Sequence, residues 1–329
     1  MAGNKPFFTT TRRGLLIGSA AAIARPAAAA DQFWTARYQA QKGDVTLALY
    51  RKRPHAPRPG DPKLPVLFLV HGSSISSLPS FDLTVPGAGE YSLMNVFARW
   101  GFDVWTMDFE GYGKSTVTAG NSDIASGVAD LHAAMPVLVR ETGQTRFNFM
   151  GESSGAIRAG AFAVAEPEHV ERLVLQAFTY TGKGSPTLTK RGEKTEFYRT
   201  HNRRPRNEDM ILSIFTRDKP GTSDPRVPVA IAKAEMPNGD SVPTGTYLDM
   251  TAHLPLVDPA KLQCPVLMVR GQYDGISTEE DLLDFFSKLP TPDKQYVVIP
   301  GAAHAVGMSL TRADLWHVMR EFLTLPKTV

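Results

Sequence analysis

Only one of the 329 residues is a cysteine, Cys264, so no intrachain disulfide can form and core burial must hold the fold. That cysteine opens the apolar stretch CPVLMVRG (264–271), which places it as a buried structural thiol rather than a reactive one. The eight histidines are scattered and show no metal-ligand spacing with it or with one another. No glycine-rich dinucleotide fingerprint follows a first strand. The chemistry is therefore expected to need neither metal nor organic cofactor. Internal repeats and long polar stalks are missing too, which excludes an adhesin or a structural array.

An apolar run near the start, GLLIGSAAAIA (14–24), has eleven residues, against about twenty needed to span a bilayer. Lys5, Arg12 and Arg13 precede it and the small-residue stretch RPAAAA (25–30) follows. That order of charge, short apolar core and Ala-x-Ala site reads as an export signal. The stretch TTRRGLLI resembles a twin-arginine signal, which implies the twin-arginine export machinery as a partner of the precursor. The expectation is a signal over residues 1–30, cleaved near Ala30, and a periplasmic or secreted protein. This segment holds four of the 36 Lys+Arg and none of the 33 Asp+Glu, leaving 32 against 33 and a net charge of −1. A balanced remainder gives no reason to expect nucleic acid as a partner.

Beyond the signal, apolar runs alternate with amphipathic ones. FWTARYQA (33–40) and DVTLALYRKR (44–53) partly alternate and predict an opening hairpin. Strands are predicted at 66–72, 102–109, 145–151, 171–178, 264–271 and 295–301, and helices at 91–101, 124–143, 156–166, 278–289 and 310–324. Pro136 marks a kink in the long helix. Strands alternating with helices imply an α/β fold with a mostly parallel sheet covered on both faces. Between 179 and 257 the alternation stops and the chain turns polar and Pro/Gly-rich, with helical fragments such as EDMILSIF (208–215). The expected organisation is a core over 31–178 and 258–329, with 179–257 inserted as a cap over the strand ends.

The stretch RFNFMGESSGAIRAG (146–160) carries the chemistry. An apolar strand stops and an alanine-rich helix begins at Gly151, Ser153 and Gly155, the spacing of a G-x-S-x-G nucleophile elbow. Such an elbow aims the Ser153 hydroxyl out of the sheet and leaves the Ser154 N–H free at a helix start. A serine hydroxyl needs a base, and His304, in VVIPGAAHAVG, is the late histidine on a loop after a strand. Asp274, in VLMVRGQYDGIS, lies just past the preceding strand and is the candidate carboxylate that fixes the imidazole. Ser73, at the start of the loop after FLVHG, is the candidate second oxyanion donor beside Ser154. His71 is read as ordering that loop.

With these motifs in place the sequence resembles a serine-dependent α/β-hydrolase, in the style of the monoglyceride-lipase and serine-aminopeptidase branch. The matching stretches are LFLVHGSS, VFARWGFDVWTMDFEGYGKS, FMGESSG, VLMVRGQYDG and IPGAAH. The resemblance implies Ser153 as nucleophile, His304 as base, Asp274 as acid, and the N–H groups of Ser73 and Ser154 as oxyanion hole. It gives Asp108 and Gly111 structural roles. Glu152 and Ser154 stand where many lipases of this branch carry His and Met, so the substrate does not follow from the resemblance. The leading expectation is an exported hydrolase of a small or medium-sized carboxylic ester, acting through an acyl-enzyme. Amidase or aminopeptidase, lactonase and C–C hydrolase chemistry use the same triad and stay open. A non-enzymatic binder has no need of all three groups.

In the cap, KRGEKTEFYRTHNRRPR (190–206) holds seven Lys/Arg against two Glu. It is read as a solvated helix face, with an anion-attracting rim as the alternative. Phe197, Tyr198, Ile211, Ile214, Phe215, Tyr247 and Met250 could line a substrate pocket or form the cap's own core. Acyl group, alcohol group and oligomeric state are not set by the sequence.

Overall fold

Five consecutive apolar residues, Val66–Val70, are all fully or almost fully buried, and their side chains divide strictly by position. Val66, Phe68 and Val70 enter one apolar cluster, while Leu67 and Leu69 enter another. The same split recurs in 266–269, where Val266 and Met268 join the first cluster and Leu267 and Val269 the second. Successive strand side chains point to opposite faces, and here both faces are dry. That explains why these strands read as continuous apolar runs.

The computed structural model describes residues 1–3 and 32–326, and the folded unit begins at Gln32. The expected signal over 1–30 lies outside the described residues save for its first three. In chain order the unit opens with β1 (Trp34–Lys42), β2 (Val45–Arg53), β3 (Val66–Val70) and α1 (Ser77–Phe81). Then come β4 (Leu83–Thr84), β5 (Glu90–Tyr91), α2 (Leu93–Arg99), β6 (Asp103–Met107) and α3 (Ile124–Thr142). They are followed by β7 (Phe147–Glu152), α4 (Ser154–Ala165) and β8 (Val170–Gln176). The middle of the chain holds α5 (Pro186–Gly192), α6 (Thr195–Thr200), β9 (Arg203–Pro205), α7 (Glu208–Ile214), α8 (Arg226–Glu235), β10 (Ser241–Pro243) and α9 (Gly245–Ala252). The chain closes with β11 (Val266–Gly271), α10 (Glu279–Ser287), β12 (Lys294–Ile299) and α11 (Arg312–Thr324).

Eight of these strands make one sheet in the order β1-β2-β6-β3-β7-β8-β11-β12. β1 and β2 form an antiparallel hairpin, and β2 runs antiparallel to β6. From β6 to β12 every pairing is parallel. One core packs α3 and α4 residues such as Leu131 and Phe162 against the sheet. The other packs α2 and α11 residues such as Phe97 and Trp316 on the opposite face. This is the α/β-hydrolase fold. Because the parallel strands share a direction, the carboxyl ends of β3, β7, β8, β11 and β12 lie along one edge, where ligands of such sheets bind.

Local sequence accounts for the boundaries. Asp123 caps α3 by accepting the Ser126 N–H, and Gly143 ends it in the left-handed conformation at φ 63°. Pro136 sits inside that helix. Cys264 is 8% exposed within the first core, and burial pushes its thiol up to about 11. Its thiolate fraction at neutral pH is negligible.

Candidate active site

Ser153 stands between the last residue of β7 and the first of α4, with φ 57° and ψ −125°. A non-glycine residue in this region is strained, and the packing around it shows what imposes the strain. The neighbouring glycines have ordinary φ but no room for a side chain. A Cβ on Gly155 would overlap the carbonyls of Val70 and His71, and one on Gly151 would overlap the backbone of Gly155 and Ala156. Strand β7 and helix α4 therefore close on one another and on β3 more tightly than any side chain allows. The Ser153 N–H bonds the Gln176 carbonyl at 2.9 Å, tying the elbow to the end of β8.

The Ser153 hydroxyl lies 2.9 Å from Nε2 of His304, and His304 Nδ1 lies 2.9 Å from Oδ1 of Asp274. His304 is 7% exposed and Asp274 4%. The same Asp274 oxygen accepts the N–H groups of Ile276 and Ser277 at 2.8 and 3.0 Å. Burial works against the Asp274 charge. His304 and these two N–H groups outweigh it and hold the carboxyl below its ordinary value. An ionised Asp274 fixes the tautomer with the proton on Nδ1, so Nε2 is left as an acceptor for the Ser153 hydroxyl. The fold thus brings together three side chains placed after three different strands.

Ser73 and Ser154 also meet. Their hydroxyls lie 2.6 Å apart, and Thr246 of α9 donates to Ser73 Oγ at 2.8 Å. The Tyr112 hydroxyl donates to the Ser73 carbonyl at 2.8 Å, which fixes the peptide plane of the loop. Neither the Ser73 nor the Ser154 N–H has a hydrogen-bond acceptor among the described residues. Ser154 begins α4, so its N–H carries the positive end of the helix dipole. Thr246 is part of this arrangement that sequence reading missed, because nothing in TGTYLDM signals a partner for Ser73.

His71 holds the loop. It is fully buried, bonds the Gly72 carbonyl through Nδ1 at 2.8 Å and accepts the Phe109 N–H on Nε2 at 3.3 Å. The rings of Phe109 and Tyr112 meet it edge-on, each at 4.9 Å. Burial, aided by the nearby Arg158 charge, pushes its imidazole down to about 4, so it is neutral at physiological pH. Asp108 is a structural hub as well: its carboxylate accepts from Ser77, Tyr50 and Lys114.

A cavity of about 80 Å³ opens over Ser153 and His304. Ile75, Ile214, Phe215, Ile231 and Met308 supply its apolar wall. Glu152, Gln176, Arg191 and Arg217 bring polar groups to it. Of the seven hydrophobic residues singled out between 197 and 250, Ile214 and Phe215 line this cavity, while Tyr198, Tyr247 and Met250 join the main core. Ile211 and Phe215 pack with Leu83, Val85 and Tyr91 in a third cluster, and Phe197 is 37% exposed. Glu152 lines the cavity and is half-buried, and that burial pushes its carboxyl up to about 7. The trio Glu166, Glu168 and His169, whose ligand atoms lie within 4.8 Å of one another, sits past the other end of α4 from Ser153.

A strained serine at a strand-to-helix turn, backed by an imidazole and a buried carboxylate over this sheet, defines the chain as a hydrolase of the α/β-hydrolase class. Residues 85–308 match the family described as serine aminopeptidase, S33, and the chain belongs to that family. No curated protein matches it significantly. Among solved structures it is similar to a hydrolase from Pseudomonas aeruginosa, with 19% identity, TM-score 0.64, and coverage of 88% of this chain and 98% of that one. A thermophilic esterase from Thermogutta terrifontis gives 21% identity and TM-score 0.60, covering 88% and 98%. The enol-lactonase from Burkholderia xenovorans gives 19% and 0.61, covering 88% and 100%. At these identities the likeness shows the fold alone.

Proposed function

We propose that the protein hydrolyses a carboxylic ester through a covalent acyl-enzyme on Ser153. The observation that carries this reading is the unbroken hydrogen-bonded relay from Ser153 through His304 to Asp274, opening onto the cavity. Ser153 Oγ attacks the ester carbonyl while His304 Nε2 takes its proton. The carbonyl oxygen becomes an oxyanion beside the free N–H groups of Ser73 and Ser154, and these hold it without reorganisation. His304 returns the proton to the leaving alcohol, then activates a water that releases the acid. Asp274 stays ionised and steadies the imidazolium in both halves of the cycle. The segment between β8 and β11 acts as a cap, since it supplies Arg191, Ile214, Phe215, Arg217 and Ile231 to the cavity wall.

Chromogenic esters run beside a Ser153→Ala variant test the reading. An engineered cavity of about 150 Å³ holds a benzene ring. The space here is smaller, so acetyl to butyryl esters should exceed octanoyl esters in kcat/KM. Ser153→Ala should lower kcat by several orders of magnitude with KM little changed. The family description favours amide cleavage as a second reading. Amide analogues turned over as fast as the matching esters would establish that reading in place of this one.

We also propose export through the twin-arginine route, on the strength of Arg12, Arg13 and the short apolar run after them. A reporter fused behind residues 1–30 should reach the periplasm, and the double substitution Arg12→Lys with Arg13→Lys should keep it in the cytoplasm.

A further inference from the structure

The basic run 190–206 does not act as one surface. Arg199 pairs with Glu196 on the exposed face of α6. Arg203 bonds the Gly111 carbonyl and Ser241. Arg206 is buried against Glu235. These three are accounted for by the fold. Arg191 and Arg204 are not, since neither side chain has an ion pair or hydrogen bond among the described residues.

Both of these guanidinium groups lie against the ring of Tyr247, at 5.4 and 4.8 Å from its centroid. Tyr247 in turn bonds Ser74, whose side chain lines the cavity over Ser153. Arg191 itself lines that cavity, and so does Arg217. Arg217 has a carboxylate partner in Asp218 at 3.2 Å, but its Nη2 is buried without any hydrogen-bond acceptor. Burial, then the neighbouring charge of Arg217, pushes Arg191 down to about 10. Like charges gathered in a half-buried space repel, and no acid among the described residues pairs with Arg191 to offset that. Glu152, the carboxyl that shares the cavity, forms no ion pair with either arginine. An uncompensated guanidinium beside a reactive serine is what a site for an anionic substrate looks like before the substrate arrives.

We propose that Arg191 and Arg217 form a carboxylate-binding subsite, so the preferred substrate is an ester bearing a free carboxylate a few bonds from the scissile carbonyl. This rests on the hydrolase reading above and narrows it to a substrate class. Arg191 supplies most of the recognition, because the Arg217 fork is already half engaged by Asp218.

The test compares p-nitrophenyl butyrate with the mono-p-nitrophenyl ester of glutaric acid, and takes the ratio of their kcat/KM values. The wild-type ratio should favour the glutarate ester at least tenfold. Arg191→Gln should lower the ratio at least tenfold, mainly through KM, and Arg191→Lys should fall between. Arg199→Gln removes the same charge from the solvent face and should leave the ratio unchanged. Thermal unfolding of each variant separates a lost subsite from a lost fold. A wild-type preference for the neutral ester overturns the proposal. So does a ratio that Arg191→Gln does not move in a folded protein.

A second readout does not depend on ester turnover. Free glutarate should slow fluorophosphonate labelling of wild-type Ser153 and lose that effect in Arg191→Gln. If neither ester reacts but glutarate still protects through Arg191, the ester reading falls and the subsite stands. Equal protection in both proteins, or stronger protection by inorganic phosphate than by glutarate, refutes the subsite.

Discussion

Ser153, His304 and Asp274 are visible in the sequence because each follows an apolar strand and each sits in a turn of restricted chemistry. Arg191 is not, because seven basic residues within seventeen positions carry no mark of which one turns inward. Glu152 stands out only as a carboxylate before the serine, and the desolvation that raises it depends on the fold around it. Two groups near the elbow, the buried His71 and the half-buried Glu152, pull stability in opposite directions with pH. His71 is held near 4 against an ordinary 6.5, so the unfolded chain takes up a proton that the folded one refuses between those values. Its contribution is intact above about 6.5 and is lost as pH falls toward 4. Glu152 is held near 7 against 4.5, so its contribution is intact below about 4.5 and is lost as pH rises through 7. Glu152→Gln removes the second effect alone. Its unfolding free energy relative to wild type, from urea titrations, should rise between pH 5 and pH 8. A difference that stays flat or falls would mean that Glu152 is solvated as an ordinary carboxylate.

The helices that flank the large sheet and its parallel strands are readable from apolar periodicity, with ends within a few residues of the observed ones. Apolar periodicity does not reach α1 or the strand pairs β4–β5 and β9–β10, which are runs of two to five residues, nor α5, α6, α8 and α9 in the polar middle of the chain. The element that matters most is the β7–α4 junction, and its two glycines make a sharp test. Gly155→Ala would drive a Cβ into the carbonyls at the end of β3, which are backbone atoms and cannot swing aside. Either α4 shifts away from β3 or the Ser153 turn relaxes, and in both cases Oγ leaves the reach of His304. Ester turnover should fall at least a hundredfold while far-UV circular dichroism stays close to wild type. Wild-type turnover in this variant would show that the tight junction is unnecessary for the chemistry.

Across the whole molecule, the parallel sheet is legible, and the middle of the chain is legible as an interruption in which only α7, over 208–214, stands out. Its polar composition hid how firmly it is fastened. Arg206, just after β9, reaches Glu235 at the end of α8, and Glu235 accepts the N–H and the hydroxyl of Ser76 in the loop before α1 at 3.0 and 2.6 Å. Both charged side chains are almost wholly buried. This pins the segment between β8 and β11 to the loop that carries Ser73. Removing one partner strands the other charge, so Arg206→Met should destabilise by about 3–5 kcal/mol in urea unfolding. Replacing both, as Arg206→Met with Glu235→Leu, should recover much of that loss. A single substitution that costs under about 1 kcal/mol would show that water reaches the pair.

The central claim is that Ser153 is the nucleophile, and a fluorophosphonate probe followed by peptide mass analysis tests it most directly. The account predicts stoichiometric modification of the peptide containing Ser153, and no modification of Ser153→Ala. It also predicts labelling slowed by orders of magnitude in His304→Ala. A folded wild-type protein that takes up no probe, or that carries it on another residue, would contradict the account.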